Sequence, residues 1–234
     1  MRCIFVLDIL NGAVVHALRG ERNSYRPIAE FSSIVSTSEP VDLLRTLRPR
    51  EVYVADLDRL TGRGDSLDLI ARISGMAKTM ADIGICRASD LDLLPPAASP
   101  VLGTETAPLS LIREASARAD SGGRRAVVSI DMRGGKLVAC DPALAEIKPL
   151  NLLKTFNPLN IEAVILLDLS RVGAEAGLDK PFLQVAAEAS EHPLILGGGI
   201  RGEADLAALE DLGCAGALVA TAVHNGRIPL SRIQ

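Results

Sequence analysis

The chain has 234 residues, 48% of them hydrophobic, which is enough apolar material for one large domain over 1–234 rather than two small ones. Its 25 Lys and Arg against 29 Asp and Glu leave a formal net charge of −4 with no basic stripe, which excludes a nucleic-acid surface of the usual electrostatic kind. The longest apolar runs are of strand length, roughly 4–8 residues, so none spans a membrane.

The start, Met1 to Leu7, resembles the short apolar core of a signal peptide. It meets Asp8 at once, without a small-residue cleavage site, and reads as a buried strand over Ile4–Ile9. Further strands are expected over Glu51–Leu57, Thr79–Ile83, Pro100–Gly103, Ala126–Asp131, Ala163–Asp168, Pro193–Leu196 and Gly216–Ala220. Runs such as Val127-Val128-Ser129-Ile130 are nearly continuous in apolar residues, as in parallel strands buried on both faces. Between them the pattern predicts helices over Pro40–Leu47, Ser66–Ser74, Ser89–Leu94, Leu109–Arg118, Leu150–Phe156, Lys180–Ala189 and Gly202–Leu212. Asp65 or Ser66 can cap the second of these and Ser89 the third. The last helical stretch, Pro229–Gln234, is short. Gly12 to Val15 and Gly135 to Val138 look like hairpin extensions after the first and fifth strands. The four cysteines lack metal-type spacing and read as reduced thiols of a cytoplasmic protein; the three histidines are scattered, so no metal site is expected.

Eight strand–helix alternations in a chain of this length are the mark of a (β/α)8 TIM barrel, with an open doubly wound sheet as the rival. A repeat decides for the barrel. Leu7-Asp8-Ile9 with Gly12 is answered by Ile130-Asp131-Met132 with Gly135, Asp56-Leu57 with Arg59 by Asp168-Leu169 with Arg171, Gly84-Ile85 by Gly199-Ile200, and Gly103-Thr104 by Ala220-Thr221. The pairs keep their order and lie about half the chain apart. Two half-barrels, approximately 1–122 and 123–234, close a ring naturally.

Reacting groups in such barrels gather at the C-terminal strand ends. Asp8 ends the first strand and Asp131 the fifth, on opposite sides of the mouth. Two facing carboxylates can act as acid and base if burial or a neighbouring charge keeps one protonated near neutrality. The plainer alternative is that each only ties down backbone amides. Asp56 and Asp168 also end strands, each with an arginine three residues on, and a carboxylate–guanidinium brace is the favoured reading for both. Asp58 has no counterpart in the repeat and could touch substrate. Gly197-Gly198-Gly199-Ile200-Arg201 follows a strand and opens a helix, where bare peptide N–H groups can reach a phosphate; Ala220 and Thr221 at the next strand end complete the cradle. In the first half the matching place reads Asp82-Ile83-Gly84, followed by Gly103 and Thr104. An anion beside Asp82 would be repelled by about 1 kcal/mol or more. Either Asp82 points away or that end holds no phosphate. Arg87 could compensate there, although a solvated helix position suits it better.

On these residues the chain resembles the HisA/HisF family of histidine biosynthesis. The resemblance runs from Leu7 to Gly12 through Val54 to Asp58 and Asp131 to Lys136, and ends at Gly197 to Arg201. Asp56-Leu57-Asp58 with Gly62-Arg63-Gly64 is closer to HisA, the isomerase that performs an Amadori rearrangement on a phosphoribosyl-formimino-aminoimidazole carboxamide ribotide. The resemblance implies a (β/α)8 barrel with a phosphate site in each half, a phosphorylated small-molecule substrate, Asp8 as general base and Asp131 as general acid, and neither metal nor cofactor. The chain departs from the family at several places. Leu167 stands for a threonine that assists the acid, Val172 for an aspartate, His16 for an arginine, and Asp82 interrupts the first glycine run. The tryptophan that stacks on substrate has no counterpart, and Pro142 falls near its place. Two alternatives therefore stand beside a HisA-like aminoaldose–aminoketose isomerase: a relative acting on a mono-phosphorylated molecule in another pathway, and a non-catalytic phosphate-binding or interaction barrel. A homo-oligomer or a protein partner is compatible with all three.

Overall fold

In the computed structural model, which describes residues 1–144 and 146–234, strands and helices alternate along the chain. The strands are β1 (Arg2–Leu10), β2 (Ala13–His16), β3 (Arg26–Pro27), β4 (Glu51–Asp56), β5 (Lys78–Asp82), β6 (Ala98–Gly103), β7 (Val127–Arg133), β8 (Lys136–Leu137), β9 (Ala163–Asp168), β10 (Leu194–Gly197) and β11 (Gly216–Val219). The helices are α1 (Pro40–Leu47), α2 (Leu57–Leu60), α3 (Leu67–Ser74), α4 (Leu109–Asp120), α5 (Pro149–Phe156), α6 (Lys180–Ala189), α7 (Glu203–Asp211) and α8 (Thr221–His224). Eight strands pair in parallel in the order β11-β10-β9-β7-β6-β5-β4-β1, and β11 pairs with β1, so the sheet closes into a (β/α)8 barrel. The open-sheet rival is thereby excluded. β2 folds back antiparallel on β1 and β8 on β7, which puts a hairpin after the first and fifth barrel strands.

The expected helices form as α-helices except at two places, the third crossover and the last stretch. Ala88–Leu93 winds as a 3-10 helix, so the third crossover carries no α-helix. Asp90, buried in this short turn, accepts the N–H groups of Cys86 and Arg87, taking the capping role expected of Ser89. At α3 the Asp65 carboxylate accepts from Leu67 N at 3.3 Å, whereas the Ser66 side chain makes no cap bond. The chain ends on a 3-10 turn, Leu230–Arg232.

Strand side chains alternate between the two faces, and in a barrel the faces are the lumen and the helical layer. On β1, Ile4 belongs to the core inside the barrel, whereas Cys3, Phe5, Leu7 and Ile9 pack under the helices. The inner core continues through Tyr53, Met80, Val101, Val127, Ile165, Ile195 and Leu218. Among the described residues, its buried members include a single aromatic ring, Tyr53, with the half-buried Tyr25 packed against them, as suits a chain with 3% aromatic residues. Aliphatic layers fill the lumen from below and leave its C-terminal end to polar groups.

Candidate active site

Counting in twos up the strands places the carboxylates. Asp8 follows Ile4 and Val6, Asp82 follows Met80, and Asp131 follows Val127 and Ser129, so all three enter the barrel at its C-terminal mouth. Asp56 shares the face of Val52 and Val54, and Asp168 that of Val164 and Leu166, so both turn toward the helical layer. Asp8, Asp82 and Asp131 line one cavity of about 170 Å³, together with Gly198, Gly199, Ala220 and Thr221.

Asp131 is 4% exposed. Its Oδ2 accepts the Glu105 N–H at 3.0 Å, its Oδ1 lies 2.6 Å from Ser129 Oγ, and its own N–H donates to Thr104 Oγ1 at 3.0 Å. The Ser129 hydroxyl can donate to a carboxylate or accept from a carboxylic acid, so it serves either protonation state. Burial pushes Asp131 up to about 7, against the hydrogen bonds from Ser129 and Glu105 and with the aid of the Asp82 charge. Asp8 is likewise raised to about 7 by burial; the Arg22 charge opposes the shift and Asp82 adds to it. Asp82 is raised by its own burial and accepts hydrogen bonds from Tyr53 Oη at 3.0 Å and Gly84 N at 3.0 Å. Asp82 therefore does not point away from the mouth; its carboxylate lines the cavity.

Gly103 and Thr104 seat Asp131. A Cβ on Gly103 would stand 2.7 Å from Asp131 Oδ2, so a glycine is needed for the carboxylate to fit. The Thr104 hydroxyl, fully buried, donates to Val138 O. Asp56 and Asp58 do not reach the cavity either. Asp56 is fully buried and accepts the N–H groups of Ser66 at 2.7 Å and Arg59 at 3.1 Å; Asp58 accepts from Asn11 N at 2.7 Å. The expected brace forms between Asp168 and Arg171, Nε to Oδ2 at 3.2 Å. It does not form at Asp56. The Arg59 guanidinium goes instead to Asp90, a 1%-exposed carboxylate, at 2.9 Å. Arg87 is largely exposed and also reaches Asp90.

The second-half glycines hold conformations that only glycine takes readily: Gly198 has φ +90° and Gly199 φ +86°. A Cβ on Gly198 would lie 2.7 Å from the Asp168 carbonyl, and one on Gly199 2.6 Å from that of Gly177. α7 begins only at Glu203, so Gly198 and Gly199 lie in the loop before it and do not open that helix, which corrects the sequence expectation; Thr221 opens the short α8. Gly198→Ala should destabilise the fold by about 1–3 kcal/mol through the strained φ and the clash; urea unfolding would measure it.

The spacing of motifs did not single out several cavity residues. Tyr53 was legible by strand parity. Arg22 and Glu105 come from loops far apart in sequence and form a two-pronged pair at 2.8 and 3.0 Å across the mouth. Arg133 donates to Arg19 O at 3.0 Å and anchors the same loop. Leu167 and Val172 also line the cavity. Among the described residues, no group of three or more His, Cys, Asp or Glu is arranged to hold a metal ion, and no helix is long and apolar enough to cross a membrane.

Residues 2–229 match the family model described as histidine biosynthesis protein. The chain is 30% identical over 241 residues to an uncharacterized protein of Methanocaldococcus jannaschii, covering all of this chain and 97% of the relative. It is 27% identical over 245 residues to a phosphoribosyl-(phosphoribosylamino)methylideneamino imidazole-carboxamide isomerase of Myxococcus xanthus, covering 100% and 98% of the two chains. To the isomerase of the same name from Thermus thermophilus the identity is 28% over 242 residues, with 98% and 97% covered.

Proposed function

The chain belongs to the histidine biosynthesis protein family, and from that premise we propose that it is an isomerase of the HisA type, converting a phosphorylated aminoaldose to an aminoketose with Asp8 and Asp131 as its acid–base pair. The carrying observation is that these two carboxyls, from the first and fifth barrel strands, enter one cavity and are both held near pKa 7. At that value each carboxyl is part protonated near neutrality. One member can hold a proton for the ring oxygen while the other is free to accept one from carbon.

The steps follow from these positions. Asp131, as acid, protonates the ring oxygen of the aminated sugar, and the ring opens to an iminium. Asp8, as base, takes the proton from the adjacent carbon, giving an enolamine. Ketonisation of this intermediate returns a proton and completes the aminoketose. Gly198, Gly199, Ala220 and Thr221 would hold the substrate's phosphate on the β10–β11 side of the mouth, between the strands of Asp8 and Asp131, fixing the reacting carbons over the carboxyls. Incubation of the purified protein with the substrate of the isomerase relatives tests the reading: turnover supports it, and its absence at high enzyme concentration removes that substrate.

Asp82 favours a second reading in which the substrate differs. With its carboxylate in the cavity, a second phosphate at the first-half end would meet a like charge, and only one phosphate would be bound. A substrate carrying one phosphate should then raise the melting temperature at lower concentration than its bis-phosphate analogue; the reverse order would rule this reading out.

A further inference from the structure

The cradle at Gly198, Gly199 and Thr221 offers peptide N–H groups and a hydroxyl, and every arginine around it already has a partner. Arg22 is paired with Glu105, Arg133 with the Arg19 carbonyl, Arg171 with Asp168 and the Gly177 carbonyl, and Arg201 with Asp205. His16 is different. It ends β2 and lines the cavity, and its Nε2 lies 3.3 Å from Thr221 Oγ1. Its ring is stacked on Phe31 with centroids 3.9 Å apart and planes 17° from parallel, so the orientation is fixed before any ligand arrives.

We propose that His16 is the cation of this cradle, binding the phosphate of the substrate as an imidazolium, so that phosphate binding takes up a proton. The inference rests on the phosphate cradle of the preceding section. Burial depresses His16 below the usual imidazole value, so the ring is neutral when the cavity is empty near neutral pH. A dianion within hydrogen-bond reach reverses the balance, because an opposite charge favours the protonated ring.

Of the groups packed around it, His16 is the one that responds; the Asp8 and Asp131 carboxyls, which line the same cavity at about 7, also gain protons beside an anion and are removed in the test. On α8, His224 is 1% exposed and held by Ser32 Oγ at 2.9 Å, with Nε2 buried and unpartnered. Burial and the nearby His16 press it down to about 4, too low to compete for a proton at neutrality. Glu175, on the loop after β9, is engaged by Asn225 and Arg227. Arg26, opposite His16 in the β2–β3 register, reaches out to Glu30. Asp8 pairs in register with Val15, the neighbour of His16, whose side chain points the other way along the strand.

Titration calorimetry with sodium sulfate, a dianion that does not itself titrate near neutrality, tests this directly. Because Asp8 and Asp131 line the same cavity at about 7, proton uptake is measured in the Asp8→Asn/Asp131→Asn background, where slightly above neutral pH, in buffers of different ionisation enthalpy, the protein should take up about one proton per sulfate bound. In that background His16→Gln should bind roughly ten- to a hundredfold more weakly and take up none. His16→Arg should keep the affinity and also take up none, which separates loss of the charge from loss of the fold. Sulfate binding without proton uptake, or uptake that persists in His16→Gln, overturns the role of His16 and leaves the cradle standing. If the native protein binds no sulfate at all, the cradle falls as well.

Discussion

Asp8→Asn and Asp131→Asn should each lower turnover by about 10²–10⁴-fold, the range expected for removal of a general acid or base. Asparagine keeps the size of the side chain; its Oδ1 can accept the Glu105 N–H while its Nδ2 donates to Ser129 Oγ. The loss should therefore fall mainly on kcat and leave KM within a few-fold of native. The two variants should differ in one further readout. If Asp8 takes the carbon-bound proton, Asp8→Asn abolishes exchange of that proton with deuterated solvent. Asp131→Asn should retain exchange with a substrate analogue that is already ring-opened. Exchange lost in the second variant and retained in the first would reverse the roles. The rate profile of the native enzyme should be bell-shaped with both limbs close to pH 7, since both carboxyls stand at about that value.

Stability should carry the opposite mark of the same residues. Asp131 stands at about 7 in the folded chain against an ordinary value of 3.8. Between those two values the folded state binds the proton and the unfolded state has released it. Stability is therefore full below the lower value, declines as pH rises through the window, and levels off above the upper one. Asp131→Asn cannot ionise and should escape the decline. A shift of about three units corresponds to about 4 kcal/mol, and the lost carboxylate hydrogen bonds reduce what is seen. The variant should be about 2–4 kcal/mol more stable than native above neutrality and indistinguishable near pH 4. Denaturant unfolding at several pH values measures this, and a variant less stable at every pH would show that Asp131 is not strained by ionisation. A variant that gains stability as it loses turnover is what a buried catalytic carboxylate predicts.

The residues that the sequence brought forward fared differently for an identifiable reason. Asp8 and Asp131 were chosen as strand-end carboxylates matched by the repeat, and both line the cavity. Asp56 was chosen by the same rule and lies outside it. Strand end is not sufficient; parity decides, and parity was available by counting from Val52 and Val54. Asp82 was legible as an interruption of a glycine run, and its inward direction by the same count from Met80; Tyr53 and Gly84 then hold the carboxylate in place. Arg22 and Glu105 carried no local signal, because their pairing bridges 83 residues and two loops without periodicity.

By itself the sequence determined the eight alternations, the aliphatic core, the hairpins after the first and fifth barrel strands, and the positions where glycine or aspartate breaks the apolar pattern. These are properties of short-range order, set by the two-residue period of strands and the backbone freedom of glycine. Only the tertiary structure decided that Asp8, Asp82 and Asp131 share one low-dielectric space, that Gly103 makes room for a carboxylate, and that His16 reaches Thr221 across 205 residues. Closure of the ring brings these groups together, and the burial that moves their protons exists only once the barrel is closed.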